Sequence, residues 1–316
     1  MLDFLHNDPE FKDLLSIVAS KQKIDTALVE KDYWIMHTLY GLSQQGIKYE
    51  LKGGTSLSKG YGLIKRFSED IDIHISTNFG LNVEGKSDRP LIREARKTFY
   101  DRFASQIKIN GIISVERDTA FDDTEKYRSG GIRLFYKTLT PALIGLKEGI
   151  LLEAGFDTVA PNRPIDISSW VLDYVKDLEN SFDFIDNTAK AVLCYHPGYT
   201  LVEKLQTIVN KYRKEFGNVD KPQNFMRQYY DVYCLLKDRE VIDFIGTPEY
   251  LCHKNERFRG ADKVLPLSAH PALLLPDPEI RSSFEQRYKD SSGLYYNEQP
   301  DFDVIMIGIQ ENIHRF

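Results

Sequence analysis

The chain has 316 residues, of which 42% are hydrophobic and 28% are charged. These proportions are ordinary for a globular protein and exclude a disordered or fibrous chain. The net charge of −6 disfavours a broad nucleic-acid-binding surface, which is usually basic, so a nucleic-acid partner would need a local basic patch.

The cysteines and the apolar runs bear on where the chain works. The three cysteines are odd in number and form no C-x-x-C pair, which disfavours a disulfide framework or a structural zinc site. A reducing cytoplasm is the natural location for such a chain. The acidic N-terminal segment does not resemble a signal peptide, and no stretch approaches the roughly 18 apolar residues of a spanning helix. We therefore expect a cytoplasmic protein with no membrane partner.

Apolar periodicity and cap residues predict the secondary structure in chain order. Asp8 and Asp25 are placed as the caps of two N-terminal helices, the second with a broad apolar face over 26–44. Further helices are predicted over 89–109, which is rich in Arg and Lys, and over 223–236. Strands are predicted at 49–52, 70–75, 112–117, 132–137 and 150–156.

The pattern changes near residue 160. A proline-bounded break at 161–164 is followed by mainly helical sequence, in which Thr200 and Glu203 form a capping box. This order of elements predicts an α+β protein with a mixed sheet and flanking helices. We expect an α/β domain with the N-terminal helices over 1–160, and a mainly helical domain over 161–316 that completes the active cleft.

Two aspartates, Asp70 and Asp72, stand in the predicted strand D-I-D-I-H-I. Because residues i and i+2 of a strand point to the same face, their carboxylates lie side by side, with His74 just beyond them. Like charges about 6 to 7 Å apart repel, and a cation between them relieves that repulsion. Mg²⁺ prefers carboxylates together with substrate phosphates, so the pair is a candidate metal site. An isolated D-x-D is more often the solvent face of an amphipathic strand.

The segment Gly53-Gly54-Thr55-Ser56 follows one predicted strand and precedes a predicted helical turn. Glycines let the backbone approach a phosphate closely, and the N–H groups and hydroxyls that follow them favour anions. Positive charge is supplied nearby by Lys59, Lys65 and Arg66. The segment is neither a G-K-[ST] phosphate loop nor G-x-G-x-x-G, so by itself it is equally a plain strand-to-helix turn.

The glycine segment and the aspartate pair are far more specific together. A strand, a Gly-Gly-Thr-Ser turn, a short helix and a strand with D-x-D form one compact unit. The turn is placed to hold a triphosphate while the acidic strand holds its metals. Transfer of a nucleotidyl group needs this combination, because the protein contributes positioning and charge neutralisation with little covalent chemistry.

The run LKGGTSLSKGYGLIKRFSEDIDIHI, residues 51–75, resembles the first two motifs of the AbiEii/AbiGii toxin-like nucleotidyltransferases, within the DNA polymerase β-like nucleotidyltransferase superfamily. The upstream VEKDYW, residues 29–34, is similar to the N-terminal helix of that family. Two further motifs, a Lys and an Asp in the helical half, match Lys204 in LVEKLQTI and Asp231 in RQYYDVYCLL. The four motifs occur in order, and the first pair is the more specific.

The resemblance implies a nucleotidyltransferase-like fold and a Mg²⁺-dependent transfer of a nucleotidyl group from an NTP to an acceptor. Asp70 and Asp72 would bind the metal, and Lys204 and Asp231 would complete the catalytic set. The triphosphate would be contacted by Gly53, Gly54, Thr55, Ser56, Lys59 and Arg66, with help from Lys204. Superfamily members often add a third metal-binding carboxylate, for which Glu153 is the candidate because it is the one acid inside an apolar strand. Asp157 is the alternative.

Several of these residues also have plainer interpretations. Without the resemblance, Lys204 would be assigned to a solvated helix face, and Asp231 to a surface ion pair with Arg227, one turn away. The basic side chains of the helix 89–109 form either a solvated face or a contact for an RNA backbone.

The family resemblance extends to partners. Related enzymes act on tRNA ends and block translation, which implies a tRNA acceptor and the toxin half of an abortive-infection or toxin–antitoxin pair with a cognate antitoxin. Three alternatives stay open. A small-molecule nucleotidyltransferase is favoured by the acidic net charge. The others are a nucleotide-binding regulator without turnover and an interaction protein with a fortuitous D-x-D.

Overall fold

The computed structural model describes residues 2–83, 87–157, 159–178, 183–216, 225–296 and 299–316. The chain divides into two compact units. The first is formed by Met1–Gly60 and Phe67–Tyr195, and the second by Tyr61–Arg66 and His196–Phe316. This division falls later than the boundary predicted at 160/161, because two strands beyond residue 160 belong to the sheet of the first unit.

A mixed sheet forms the centre of the first unit. Within the described ranges its strands are β1 (Tyr49–Lys52), β2 (Asp70–Ile75), β3 (Ile112–Asp118), β4 (Ser129–Tyr136), β5 (Ile150–Gly155), β6 (Asn162–Ile167) and β7 (Ala189–Tyr195). They lie in the order β3-β4-β5-β2-β1-β7-β6. The pairs β2/β5 and β1/β7 are parallel, and the other neighbours are antiparallel. The predicted α+β class with a mixed sheet is confirmed, and β1 to β5 lie close to their predicted positions.

Strands β6 and β7 were not predicted. The stretch around Pro161 and Pro164 was interpreted as a break, but β6 is the last strand of the sheet order, where a proline without an N–H is tolerated. β7 is a short apolar run, and periodicity alone does not separate such a strand from a buried helix. Pairing with β1 decides the conformation of β7, and that pairing is a contact between distant parts of the sequence.

Helices accompany the sheet in the first unit: α1 (Phe11–Gln22), α2 (Thr26–Gln44), the short turn α3 (Gly53–Thr55), α4 (Pro90–Gln106) and α5 (Trp170–Lys176). A π-helical turn, Ser56–Gly60, continues α3. The carboxylate of Asp25 accepts the N–H of Ala27 at 2.8 Å, which confirms the predicted cap of α2. Helix α2 is buried on nearly all sides and forms much of the core.

The basic helix α4 does not present all of its arginines to solvent. Arg96 is buried and donates to the backbone carbonyls of Val83 and Ser87 at 3.0 and 3.1 Å. Arg102 donates to the carbonyl of Phe79 at 2.9 Å. Arg96 therefore stabilises the segment before α4, and its assignment to a solvated or RNA-binding face is wrong.

The second unit is helical where it is described: α6 (Pro197–Phe216), α7 (Arg227–Leu235), α8 (Arg239–Phe244), α9 (Pro248–Arg257), α10 (Pro271–Leu274), α11 (Pro278–Lys289) and α12 (Phe302–Asn312). The predicted start of α7 at residue 223 lies outside the described residues. No helix in the described ranges of the whole chain is long and apolar enough to cross a membrane.

Helix α6 begins earlier than the capping box predicted. Its cap is His196, whose Nδ1 accepts the N–H of Gly198 at 3.1 Å. Thr200 is buried inside the helix, and Glu203 accepts a hydrogen bond from Arg257 at 2.5 Å. The predicted Thr200/Glu203 box is therefore wrong, because the helix extends one turn further toward the N-terminus than the box allows.

The buried His37 on α2 makes the first unit sensitive to acid. Its Nε2 bonds the carbonyl of Asn110 and its Nδ1 bonds the amide of Asn187, both at 2.9 Å. Burial, together with the nearby His6, lowers the pKa of His37 to about 4. The unfolded chain takes up the proton near pH 6.5 and the folded chain does not, so folding stability is lost as the pH falls from 6.5 to 4.

We expect this loss to reach about 2–3 kcal/mol by pH 4.5. His37→Gln removes the titrating group, so the melting temperature of this variant should fall less between pH 7.5 and 4.5 than that of the wild type. His314→Gln, at an exposed histidine, is the control and should keep the wild-type pH dependence. Equal pH dependence in all three proteins would contradict the assignment.

Candidate active site

Three carboxylates occupy neighbouring positions on β2 and β5. Asp70 and Asp72 are half-buried on one face of β2, and its isoleucines are buried on the other. The parallel register pairs Asp72 with Glu153, so these two side chains project side by side from adjacent strands, which lie about 4.8 Å apart. The predicted third carboxylate thus lies beside the predicted pair. Asp157, the alternative, is exposed and lies beyond the end of β5.

The electrostatics of this carboxylate group favour a cation. Burial, followed by the negative charges of Asp72 and Asp70, raises the pKa of Glu153 to about 8, although Lys147 and Lys52 act against the rise. Three adjacent carboxylates are the donor chemistry that suits Mg²⁺. Across the part of the chain that the structure describes, no three ligand-type side chains converge as a ready-made metal site.

Gly53 places the glycine turn against the acidic strand. Its φ is +69°, in the left-handed region that side chains rarely adopt, and a Cβ added to it would lie 2.2 Å from Oδ2 of Asp72. The antiparallel register of β1 and β2 pairs Lys52 with Asp72 and so sets this approach. Gly54, the next residue, is buried at the start of the helical turn. Only glycine fits at position 53 without moving the carboxylate.

The hydroxyls that follow the glycines point into the fold. Oγ1 of Thr55 donates to the backbone carbonyl of Asp70 at 2.6 Å, which ties the turn to the first residue of the acidic strand. Ser56 is fully buried. Both side chains therefore contribute to the structure of the turn. Direct contact between them and a triphosphate stays a prediction.

Lys59 has a buried partner. Its ammonium lies 3.0 Å from Oδ1 of Asp32, which is 2% exposed, and 4.8 Å from the ring centroid of Trp170. The same carboxylate accepts the backbone N–H of Trp170 at 2.8 Å. The charge of Lys59 thus balances Asp32 and joins the glycine turn to α2 and α5.

Asp32 belongs to a run of three buried charges on α2, Glu30-Lys31-Asp32, each of which holds a different segment. The carboxylate of Glu30 accepts two hydrogen bonds from Thr140, one from its backbone N–H at 3.1 Å and one from its side-chain hydroxyl at 2.5 Å. Lys31 donates to the carbonyl of Lys147 at 2.6 Å, and burial lowers its pKa to about 8. No role was predicted for these three residues from the sequence. The available signal was three consecutive charges within an apolar helix.

Lys147 was also missed. It lies in the loop before β5, and its ammonium is 3.2 Å from Oδ2 of Asp70. No local pattern marks this lysine in the sequence. Only the pairing of β5 with β2 brings it to the carboxylates.

The remaining predicted residues meet within the second unit. Asp231 is completely buried on α7, and its carboxylate accepts hydrogen bonds from Nε and Nη2 of Arg66 at 2.7 and 2.6 Å. Nζ of Lys204, on α6, lies 2.9 Å from the same carboxylate. The alternative of a surface ion pair with Arg227 is wrong.

The charges of this cluster keep Asp231 ionised. Burial by itself raises the pKa of Asp231, but the charges of Arg66 and Lys204 outweigh the effect of burial and hold the pKa at about 2.

Removing the Asp231 charge should destabilise the second unit. Asp231→Asn leaves two cations facing a neutral amide in a buried site, and breaking a buried pair in this way costs about 3–5 kcal/mol. Denaturant unfolding measures the loss. Asp243→Asn is the matched control, because Asp243 pairs with Arg239 on an exposed helix surface and should leave stability nearly unchanged. Similar stability of the two variants would contradict a buried ion cluster.

Comparison with known proteins identifies the family of the chain. The family described as "Nucleotidyl transferase AbiEii toxin, Type IV TA system" matches residues 36–307. A comparison with curated proteins finds no match. One solved structure that the chain resembles is an antigenic nucleotidyltransferase-like protein from Paracoccidioides brasiliensis, at 14% identity and a TM-score of 0.35, over 81% of this chain and 92% of that one. The family match covers most of the sequence, and the chain is a nucleotidyltransferase that belongs to the AbiEii toxin family.

Proposed function

We propose that this enzyme uses Mg²⁺ to move a nucleotidyl group from an NTP to an acceptor hydroxyl, with release of pyrophosphate. The observation that carries the proposal is the approach of the glycine turn to the acidic strand, where a Cβ on Gly53 would lie 2.2 Å from Asp72. A phosphate that approaches the backbone of this turn comes next to the carboxylates. No side chain at position 53 stands between them.

Asp70, Asp72 and Glu153 are the residues that would hold Mg²⁺. When bound, the ion neutralises phosphate charge and lowers the pKa of a hydroxyl that it contacts. The two glycines, Gly53 and Gly54, leave the turn open to the phosphates. Thr55 keeps the turn and the strand in register through its bond to the Asp70 carbonyl.

The ion cluster of the second unit supplies a cation for the phosphates. Two positive groups, Arg66 and Lys204, share the single carboxylate of Asp231, so the cluster has a formal surplus of one positive charge. Asp231 is 0% exposed, so it acts as a positioning residue for Lys204. Arg66 fixes Asp231 in turn. We propose that Lys204 contacts the triphosphate, and that the helical half thereby completes the catalytic set.

Lys204→Met tests this role, because it leaves the Arg66–Asp231 pair in place. We expect nucleotidyl transfer to fall about 100-fold or more, as for loss of one preorganised charge at a transition state. The melting temperature should change by only a few degrees. Lys263→Met, at an exposed lysine of the same unit, is the control for the lost charge. Normal transfer by Lys204→Met would contradict the assignment.

The proposed acceptor is a tRNA end, and the proposed partner is a cognate antitoxin. The family description as a toxin of a type IV toxin–antitoxin system supports the antitoxin partner. The tRNA acceptor rests on the family resemblance of the sequence. A small-molecule acceptor is the second candidate. It is favoured by the net charge of −6 and by the burial of Arg96, which removes one cation from the basic face of α4.

The test is to incubate the purified enzyme with Mg²⁺, each labelled NTP in turn, and either total tRNA or a panel of hydroxylated small molecules. Label on tRNA supports the leading proposal, and label on a small molecule supports the second. Transfer to neither acceptor, with any NTP, would contradict both. Induced expression without an antitoxin should arrest growth, and unaffected growth would count against toxicity.

The Asp70→Asn/Asp72→Asn double variant tests the metal site. Loss of both carboxylates should lower transfer at least about 1,000-fold, because metal stabilisation of the transition state amounts to several kcal/mol. Glu94→Gln/Glu311→Gln removes the same charge at two exposed acids and should retain full activity. Transfer that survives in the double aspartate variant would exclude these carboxylates as the metal ligands.

A further inference from the structure

One cation already lies on the carboxylate site. Nζ of Lys147 is 3.2 Å from Oδ2 and 3.4 Å from Oδ1 of Asp70, so the ammonium contacts both oxygens. The two side chains are 40% and 23% exposed, so the pair is accessible to ions from solvent. An ammonium in contact with both oxygens would compete with a divalent ion for Asp70.

A buried ion pair, Lys31 and Glu69, fixes the backbone of Lys147 by hydrogen bonds. Lys31 donates to the Lys147 carbonyl at 2.6 Å, and Glu69 accepts the Lys147 N–H at 3.2 Å. Lys31 and Glu69 lie 3.8 Å apart and are 1% and 5% exposed. Both polar groups of the Lys147 peptide backbone are therefore held by α2 and by the residue that precedes the acidic strand. The four-carbon side chain keeps its freedom to pivot about that fixed point.

The ammonium has a second contact in the position that it occupies on Asp70. Nζ of Lys147 lies 5.2 Å from the ring centroid of Phe121, within the range of a cation–π contact. An ammonium that leaves Asp70 retains this partner. It also stays close to the carboxylates, where phosphates of a bound nucleotide would lie.

We propose that Lys147 is the resident counter-ion of the carboxylate site, and that its ammonium is exchanged for a divalent cation when the site is loaded. In the unloaded protein it offsets part of the charge of Asp70, Asp72 and Glu153. On loading it leaves Asp70, keeps its contact with Phe121 and faces the phosphates. This inference rests on the metal site of the proposed function, but not on the identity of the acceptor or on turnover.

The test is to measure the binding of Mn²⁺ in the absence of nucleotide, by electron paramagnetic resonance or calorimetry. Lys147→Met should bind Mn²⁺ about three- to tenfold more tightly than the wild type, because the ion no longer has to displace a half-exposed ion pair. Lys147→Arg keeps the competing charge and should bind like the wild type. Lys137→Met, at an exposed lysine of the same unit, controls for the change in net charge and should also bind like the wild type.

Movement of the ammonium is measured separately. After reductive ¹³C-methylation of lysines, the Lys147 signal is identified by its absence from Lys147→Arg, and it should shift when Mg²⁺ is added. Three results would overturn the proposal. They are unchanged or weaker Mn²⁺ binding by Lys147→Met, no Mn²⁺ binding by either Lys147→Met or the wild type, and a Lys147 signal that does not shift when Mg²⁺ is added. If the exchange is observed but no nucleotidyl transfer occurs, the proposed function fails and the counter-ion assignment stands.

Discussion

The backbone of Gly53 lies against the carboxylate of Asp72, and the rest of the carboxylate site depends on this approach. The positive φ of Gly53 disfavours any side chain there, and a Cβ would meet Asp72 at 2.2 Å and displace its carboxylate. The antiparallel pairing of β1 with β2 brings the two residues together, and the parallel pairing of β2 with β5 adds Glu153. A glycine turn and an acidic strand thus become one site through strand register.

Buried charges on α2 organise the segments around that site. Glu30, Lys31 and Asp32 are each about 1–2% exposed, and a charge in such surroundings is stable only when it is paired and hydrogen-bonded. Their partners are the loop near Thr140, the backbone at Lys147 and the ammonium of Lys59. The need to pair three adjacent charges therefore sets the positions of three segments. It also explains why Lys59, which is close to the glycines in sequence, forms an ion pair with Asp32 of α2.

Sequence reasoning was most successful where a local pattern has a direct structural meaning. The strict alternation of Asp70–Ile75 identified β2 with its correct bounds, because one face of that strand is buried and the other is polar. It failed where a local pattern was ambiguous. β7 is a short apolar run whose state is decided by β1, and Thr200 matches a capping box although the helix begins before it. The unpredicted strands β6 and β7 moved the division between the two units from residue 160 to residue 195.

The sequence by itself determined the acidic face of β2, its order after the glycine turn and the family. Each of these features depends on residue types at close spacing, which can be read directly from the sequence. Only the tertiary structure decided that Glu153 lies beside Asp72, that Arg66 is the partner of Asp231, and that Lys147 lies on Asp70. Arg66 and Asp231 are 165 positions apart, and Lys147 and Asp70 are 77 apart. Contacts at such separations follow from strand register and the burial of charge, which no local pattern encodes.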